Sequence, residues 1–472
     1  MSATLIRNGR LITPDGEVRG DLLLAGGQIA AIHPQLSTEG VDNFVDATGC
    51  IVLPGLIDPH THIQLDTGIY QTPDDWEIGT RTAACGGITT VIDFATQFPS
   101  QDVRAALAAR LAEINGAAAG PGAGLAQIDY GLHMMLTQLP PTDAELDRWM
   151  TDLLADGVTS VKVYTTYRPN YYQDDAALLR VFAAAARHAV IVMVHCENDA
   201  IVSAATTALI ATGQTGLANH GRARPALAEV EAANRVLFLA QTVGAPIYVV
   251  HCSISGTVDQ VIQAVSRGQR AIAETTPQYL LLDETIYAGE HPEWGIMQPP
   301  LRAPEEKGRL WAQLASGAIS TSGTDHCDYT IDQKRLSPHF HQTAGGIPGM
   351  ETLLPLLATC GVAQGRITWP RLVEVCSANP ARIFGLKGKG ALASGYDADV
   401  VIYDPRVETT LRAAALHNLA GYTPYEGWKI QGAVRDVFSR GRQIVREGEF
   451  LPAPGWGRFV KAGPGIAGDV LH

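Results

Sequence analysis

Asp58-Pro59-His60-Thr61-His62 sets two imidazoles one residue apart. On a β-strand, whose side chains alternate between faces, both rings point the same way. Paired neutral imidazoles are ligands for divalent metals of the zinc type. Three further segments end apolar runs in a similar manner: Val194-His195-Cys196-Glu197-Asn198, Val250-His251-Cys252-Ser253 and Gly323-Thr324-Asp325-His326. Four histidines and a carboxylate buried at strand ends without partners would be costly, and a metal supplies the partners. Lys162 lies in the middle of Ser160-Val161-Lys162-Val163-Tyr164, where an unpaired ammonium is poorly tolerated. Burial would keep its amine neutral, free to react with carbon dioxide to a carbamate, an anionic oxygen ligand able to bridge two metals. The six residues His60, His62, Lys162, His195, His251 and Asp325 therefore predict a site for two divalent metal ions. Core histidines satisfied one by one, with a lysine snorkelling to a rim, would explain each residue singly but not their company.

The elements that must carry these residues repeat a simple pattern. Compact apolar runs occur at Gly55–His62, Thr89–Phe94, Tyr130–Leu136, Ser160–Thr165, Val190–Cys196, Ile247–Cys252, Ala271–Thr275 and Ile319–His326. Amphipathic stretches such as Asp102–Ile114, Asp174–Arg187, Ala226–Thr242 and Thr257–Arg267 separate them at helical spacing. Eight strands alternating with helices predict an α/β fold, a closed parallel (β/α)8 TIM barrel. The metal residues then fall on strands one, four, five, six and eight, at the end where such barrels hold their sites. Both chain ends instead read as short strands and turns, and IRNGRLI near the start is echoed by FSRGRQIV near the end. The expected organisation is a small β-sandwich from residues 1–54 and 385–449, a barrel over 55–384, and a C-terminal arm over 450–472. Asn115–Gly124, rich in Gly and Ala, reads as a surface loop, and the arm has no obvious place in a monomer, so a neighbouring subunit is its expected support.

Bulk properties narrow the rest. Of 472 residues, 46% are hydrophobic and 18% charged, an ordinary globular balance. The net charge of −13 leaves no basic stripe for nucleic acid. No run approaches the ~18–20 apolar residues that span a bilayer, and the start lacks a signal-peptide pattern. Seven scattered cysteines without a CxxC pair point to free thiols in a reducing cytoplasm.

HxH followed by Lys, His, His and Asp in this order resembles the amidohydrolase superfamily, and within it the hydantoinase/dihydropyrimidinase group of cyclic amidases. The likeness extends through Gly55-Leu56-Ile57-Asp58-Pro59-His60-Thr61-His62, Gly86-Gly87-Ile88-Thr89-Thr90, Pro299-Pro300-Leu301-Arg302 and Gly395-Tyr396-Asp397-Ala398-Asp399. It implies that His60, His62 and Asp325 hold one metal and His195 and His251 the other, with carboxylated Lys162 and a hydroxide between them. Zinc is the default metal, with manganese, cobalt or iron as alternatives. It further implies that Tyr167 bonds the substrate carbonyl, that Asp325 shuttles the proton, and that the product is an N-carbamoyl amino acid. Two positions depart from the pattern: Gln298 stands where a serine often precedes Pro-Pro-Leu-Arg, and Gly345 where an asparagine contacts the ring.

The expectation is a small-molecule enzyme, a homotetramer or homodimer, that opens hydantoins or dihydropyrimidines. The loops Leu65–Trp76 and Thr165–Tyr172 are expected to choose the substituent on the ring. Allantoinase and dihydroorotase are the alternatives; the latter pattern has arginine two residues after the second histidine, and this chain has Gln64. A non-catalytic scaffold of the same fold would be expected to lose the ligands, and all six are present.

Overall fold

The computed structural model describes residues 3–116 and 124–465. Alternating apolar and polar residues fold the first segment into β1 (Thr4–Thr13), β2 (Gly16–Ala25), β3 (Gln28–His33), β4 (Asn43–Asp46) and β5 (Ile51–Pro54). The middle supplies β6 (Leu56–Asp58), β7 (Ile88–Gln97), β8 (Asp129–Leu136), β9 (Ser160–Tyr164), β10 (Ile191–His195), β11 (Ile247–Val249), β12 (Ala271–Thr275) and β13 (Thr321–Ser322). The last part adds β14 (Val400–Thr410), β15 (Lys429–Ser439), β16 (Arg442–Arg446) and β17 (Glu449–Phe450).

Strands β6 to β13 lie side by side in chain order, each parallel to the next, one for each of the eight apolar runs. The ring closes without a full ladder. Asp58 accepts from the Thr324 hydroxyl at 2.5 Å and its N–H at 3.0 Å, His60 O accepts from Asp325 N–H, and His326 O from His62 N–H. The expected eighth strand is cut to Thr321–Ser322 because Asp325 takes a left-handed backbone (φ 51°), which ends the extended run. Helices fall where the amphipathic stretches lie: Val103–Ile114 and Asp175–His188 are capped by Asp102 and Asp174, whose carboxylates accept N–H groups of the first turn.

Period two decides which side chains enter the barrel. Val161 and Val163 face the outer helices, whereas Tyr164 joins the interior cluster of Ile57, Phe94, Met135, Met193, Tyr248 and Phe384, which places Lys162 on the inner face. Ile383 and Phe384, from the helix Asn379–Phe384, fill the floor of that cluster.

The two chain ends meet at β5 and β14, in the order β17-β16-β15-β14-β5-β1-β2-β3 with β4 beside β1. Ile51, Leu53, Val401 and Tyr403 press on the barrel, while Val52, Val400 and Ile402 close a second cluster with Leu22, Leu24 and Phe438. A seam of charge joins the parts. Lys389 Nζ sits 2.9 Å from Asp129 at the root of β8 and 2.7 Å from Asp399 just before β14.

The described part of the arm lies along its own chain. Main-chain bonds tie it to its own barrel: Arg458 O accepts from Tyr130 N–H, Val460 N–H donates to Tyr130 O, and Ala462 N–H to Gly157 O. The start of β8 is free for the arm because β8 pairs with β9 only at Met134 and Met135, leaving backbone groups at Tyr130 to be met. Of the loop Asn115–Gly124, residues 117–123 lie outside the described residues, as do 466–472 of the arm.

Candidate metal centre

His60 and His62 leave β6 towards the mouth, and β13 brings Asp325 beside them. Asp325 Oδ1 is 3.3 Å from the Nε2 of both histidines, three ligand atoms close enough for one ion. Lys162 Nζ lies 3.1 Å from His60 Nε2. On the far side, His195 Nδ1 and His251 Nε2 are 2.9 Å apart, and the His60 and His251 rings stack with centroids at 5.5 Å. All six sequence-predicted ligands therefore converge, as a group of three, a pair, and a lysine beside the first group.

Neighbours decide which nitrogen each ring presents. Glu274 on β12 accepts from His60 Nδ1–H at 2.7 Å, from His251 N–H at 2.9 Å and from the Tyr248 hydroxyl at 2.7 Å. His60 is thereby left with a free lone pair on Nε2. Glu197 does the same for His195, bonding its Nε2 at 2.7 Å and freeing Nδ1, while the Arg224 guanidinium braces Glu197 at 3.0 Å. Sequence reasoning gave neither carboxylate a role. Glu274 had a visible signal, an acid inside the apolar run Ala271–Thr275; Glu197 had only its place two residues after a ligand.

The electrostatics keep the site ready for a cation. Burial pushes His60 and His251 well below the usual imidazole value, so both rings are neutral. Burial also pulls Lys162 down to about 8, with the Asp325 and Glu274 carboxylates opposing it. For Asp325 burial acts upward, but His60, His62 and Lys162 outweigh it and hold the carboxyl below its ordinary value. Neutral nitrogens, an ionised carboxylate and a readily deprotonated amine are the donor set that divalent metals take. The residues present fit a two-metal centre.

Strain marks the same place. His251 (φ 38°), Asp325 (φ 51°) and Tyr167 (φ 74°) adopt left-handed backbones, each costing on the order of 1 kcal/mol. Tyr167 places its ring 5.0 Å from that of His195, with Arg224 over its other surroundings at 5.2 Å. Tyr171 follows on the same loop against Tyr164. The other expected loop is shorter than its sequence limits, because Trp76 opens the helix Trp76–Cys85 and is fully buried against Tyr130, out of reach of a substrate. Its indole fills the barrel wall rather than the mouth. Gln298 and Gly345 lie in the loops after β12 and β13 and touch each other.

Arg302, the last residue of Pro299-Pro300-Leu301-Arg302, is a brace. It donates to Ser253 Oγ at 2.9 Å, to Glu229 at 2.9 Å and to Arg224 O at 2.7 Å, so one guanidinium supports the segments behind both His251 and His195. Elsewhere Asp74, His326 and Asp328 cluster, fully buried, behind the mouth, and Cys85, Glu351 and His417 cluster half-exposed at the end of the helix Trp76–Cys85.

Residues 51–444 match the profile of the Amidohydrolase family. The chain is 39% identical over 464 residues to the D-phenylhydantoinase of Escherichia coli (strain K12), covering 98% of both. Among solved structures, the dihydropyrimidinase from Brevibacillus agri NCHU1002 superposes with a TM-score of 0.93 at 33% identity, over 98% of this chain and 99% of that one. The L-hydantoinase (dihydropyrimidinase) from Arthrobacter aurescens does so at 0.88 and 30%, over 98% and 100%.

Proposed function

The chain belongs to the amidohydrolase family and is a cyclic-amide hydrolase of the hydantoinase/dihydropyrimidinase type, and from that premise we propose how its residues open the ring. The observation that carries the reading is the convergence of His60, His62 and Asp325 beside Lys162, next to the His195–His251 pair. In it, His60, His62 and Asp325 would hold one divalent ion and His195 Nδ1 and His251 Nε2 the other, with Lys162 as a carbamate supplying a further ligand. Its amine, which burial makes easier to deprotonate, would take up carbon dioxide with release of a proton and so supply an anionic oxygen ligand. Two such ions supply Lewis acidity and lower the pKa of a water to near 7. Zinc is the metal we assign first, because imidazole and carboxylate ligands suit it.

The chain's own groups do the rest. Asp325, with an oxygen beside both histidines, accepts the proton of the attacking water and delivers it to the leaving ring nitrogen. Tyr167 keeps its proton, since burial pushes its phenol well above the usual value. It can therefore donate to the carbonyl oxygen as negative charge develops there. Addition of water across one ring C–N bond gives the N-carbamoyl amino acid. Gln298 and Gly345 contact the ring, and Tyr171 lies where a substituent would emerge.

No described helix is long and apolar enough to cross a membrane, and all seven cysteines are free. These fit the cytoplasmic setting we propose. A homotetramer or homodimer is part of the same reading, and light scattering that finds only monomer removes that part.

The test is a side-by-side assay of dihydrouracil, hydantoin, 5-phenylhydantoin, allantoin and dihydroorotate. Ring opening of a hydantoin or of dihydrouracil is expected. Turnover of allantoin or dihydroorotate alone would replace this assignment with one of the neighbouring activities.

A further inference from the structure

Away from the barrel mouth, three side chains from distant parts of the chain meet at the surface. Cys85 ends the helix Trp76–Cys85, Glu351 lies in the turn Met350–Thr352, and His417 lies in the loop between β14 and β15. Close packing seats the helix end against the turn: a Cβ at Gly86 would stand 2.6 Å from Met350 O and 2.7 Å from Glu351 Cα, so only glycine fits there. The loop is fixed by Leu419 N–H, which donates to Asp74 Oδ1 at 2.8 Å, and by Arg81, which donates to His417 O at 3.3 Å. Glu351 then grips the histidine twice. Its Oε2 accepts from His417 N–H at 2.8 Å and its Oε1 from Nδ1–H at 2.9 Å. The ring is left with the lone pair of Nε2, and that atom faces Cys85 Sγ at 3.8 Å.

We infer that Cys85 and His417 form a third metal site, separate from the ring-opening centre, for a thiophilic divalent cation of the zinc class, with Glu351 orienting His417 from behind. The site goes beyond the ring-opening reading and does not depend on it. Tetrahedral bonds of ~2.3 Å to sulfur and ~2.0–2.1 Å to an imidazole nitrogen put the two ligand atoms about 3.5 Å apart. The observed 3.8 Å closes to that spacing with a small side-chain movement. The bond from Nδ1–H to a carboxylate is the outer contact that metal-bound imidazoles keep. Charge nearby favours a cation, since the Glu351 and Glu449 carboxylates act on the thiol against the Arg81 guanidinium. Burial pushes the Cys85 thiol up, so without a metal it keeps its proton and is a poor nucleophile. A cation takes that proton's place: the S–H bond breaks, the bond from Sγ to the metal forms, and the proton leaves to solvent. The His417 side chain is 33% exposed, so water can complete the tetrahedron around two protein ligands. Its occupant would clip the barrel helix to the loop of the terminal sheet, closing a long stretch of chain.

The test uses the full-length protein loaded with two equivalents of zinc, to which cobalt(II) is added. The six residues of the first centre offer no thiolate, so a thiolate-to-cobalt charge-transfer band in the near ultraviolet reports a cysteine ligand. That band should appear as one further equivalent binds, and the unfolding midpoint should rise with it. Cys85→Ala should lose the band, the extra equivalent and the rise in midpoint, while hydantoin turnover stays at the wild-type level. His417→Gln, which keeps a hydrogen-bonding partner for Glu351 but has no imidazole nitrogen, should lose them too. Glu351→Gln should weaken cobalt binding by ~10–100-fold and keep the band at saturation. Absence of the band in the wild type, or a band and an extra equivalent that persist in Cys85→Ala, would overturn the proposal and leave Cys85 as a thiol that merely donates to the imidazole.

Discussion

At the scale of single residues, the centre depends on which nitrogen each imidazole turns inward. Glu274 holds His60 by Nδ1 and Glu197 holds His195 by Nε2, so the two rings enter with opposite edges. Glu274→Gln keeps the shape and removes the charge that orients His60, and metal affinity should fall by ~10–100-fold, read by competition with a chelator. Lys162→Ala should do more, losing metal and ring opening by more than that outer-partner effect, with partial recovery in a short carboxylic acid. Unchanged activity in Lys162→Ala would remove the bridging role. The six candidate ligands were legible because each is a polar residue at a place where chain periodicity demands an apolar one or a strand end. Glu274 obeys the same logic inside Ala271–Thr275 and went unread because its partners His60 and His251 lie just beyond β6 and β11, far away in sequence. Gln298 and Gly345 were visible as departures; their contact across two loops was not, since no local pattern encodes it.

At the scale of elements, eight apolar runs became eight strands, and the helices followed their caps, because both signals are local: period two, period 3.6 and an acidic N-cap. What was hidden is how the ends of strands are held. β13 has two residues, and Asp58 does the closing with its side chain. The Pro299-Pro300-Leu301-Arg302 segment was recognisable as a motif, yet the work of Arg302 appears only when Glu229, Ser253 and Arg224 surround it. Arg302→Lys cannot reproduce that three-way fork. It should lower stability by about 1–3 kcal/mol in denaturant unfolding, through buried partners left unpaired, and weaken metal retention by the His195–His251 pair more than by the His60–His62–Asp325 group. Equal loss from both groups would show that the brace acts on the barrel as a whole.

At the scale of the whole molecule, the barrel, the terminal sheet and the arm meet on one buried charge. Lys389 contacts Asp129, Asp397 and Asp399, and Arg440 and Arg458 reach Asp129 from the sheet and the arm. Lys389→Met leaves buried carboxylates uncompensated, so a cost of about 3–5 kcal/mol is expected, measurable as an earlier unfolding midpoint. The arm's docking was illegible because much of it rests on main-chain bonds, among them those to Tyr130 of β8, which side-chain patterns do not record. Beneath all three scales lies one claim, that ring opening requires two ions held by these six residues. It is tested most directly by stripping the metal with a chelator and returning zinc in steps while following hydantoin ring opening. Activity should stay near zero in the stripped protein and rise until about two equivalents per chain are bound. Full activity in the stripped protein, or saturation at one equivalent, would contradict the account.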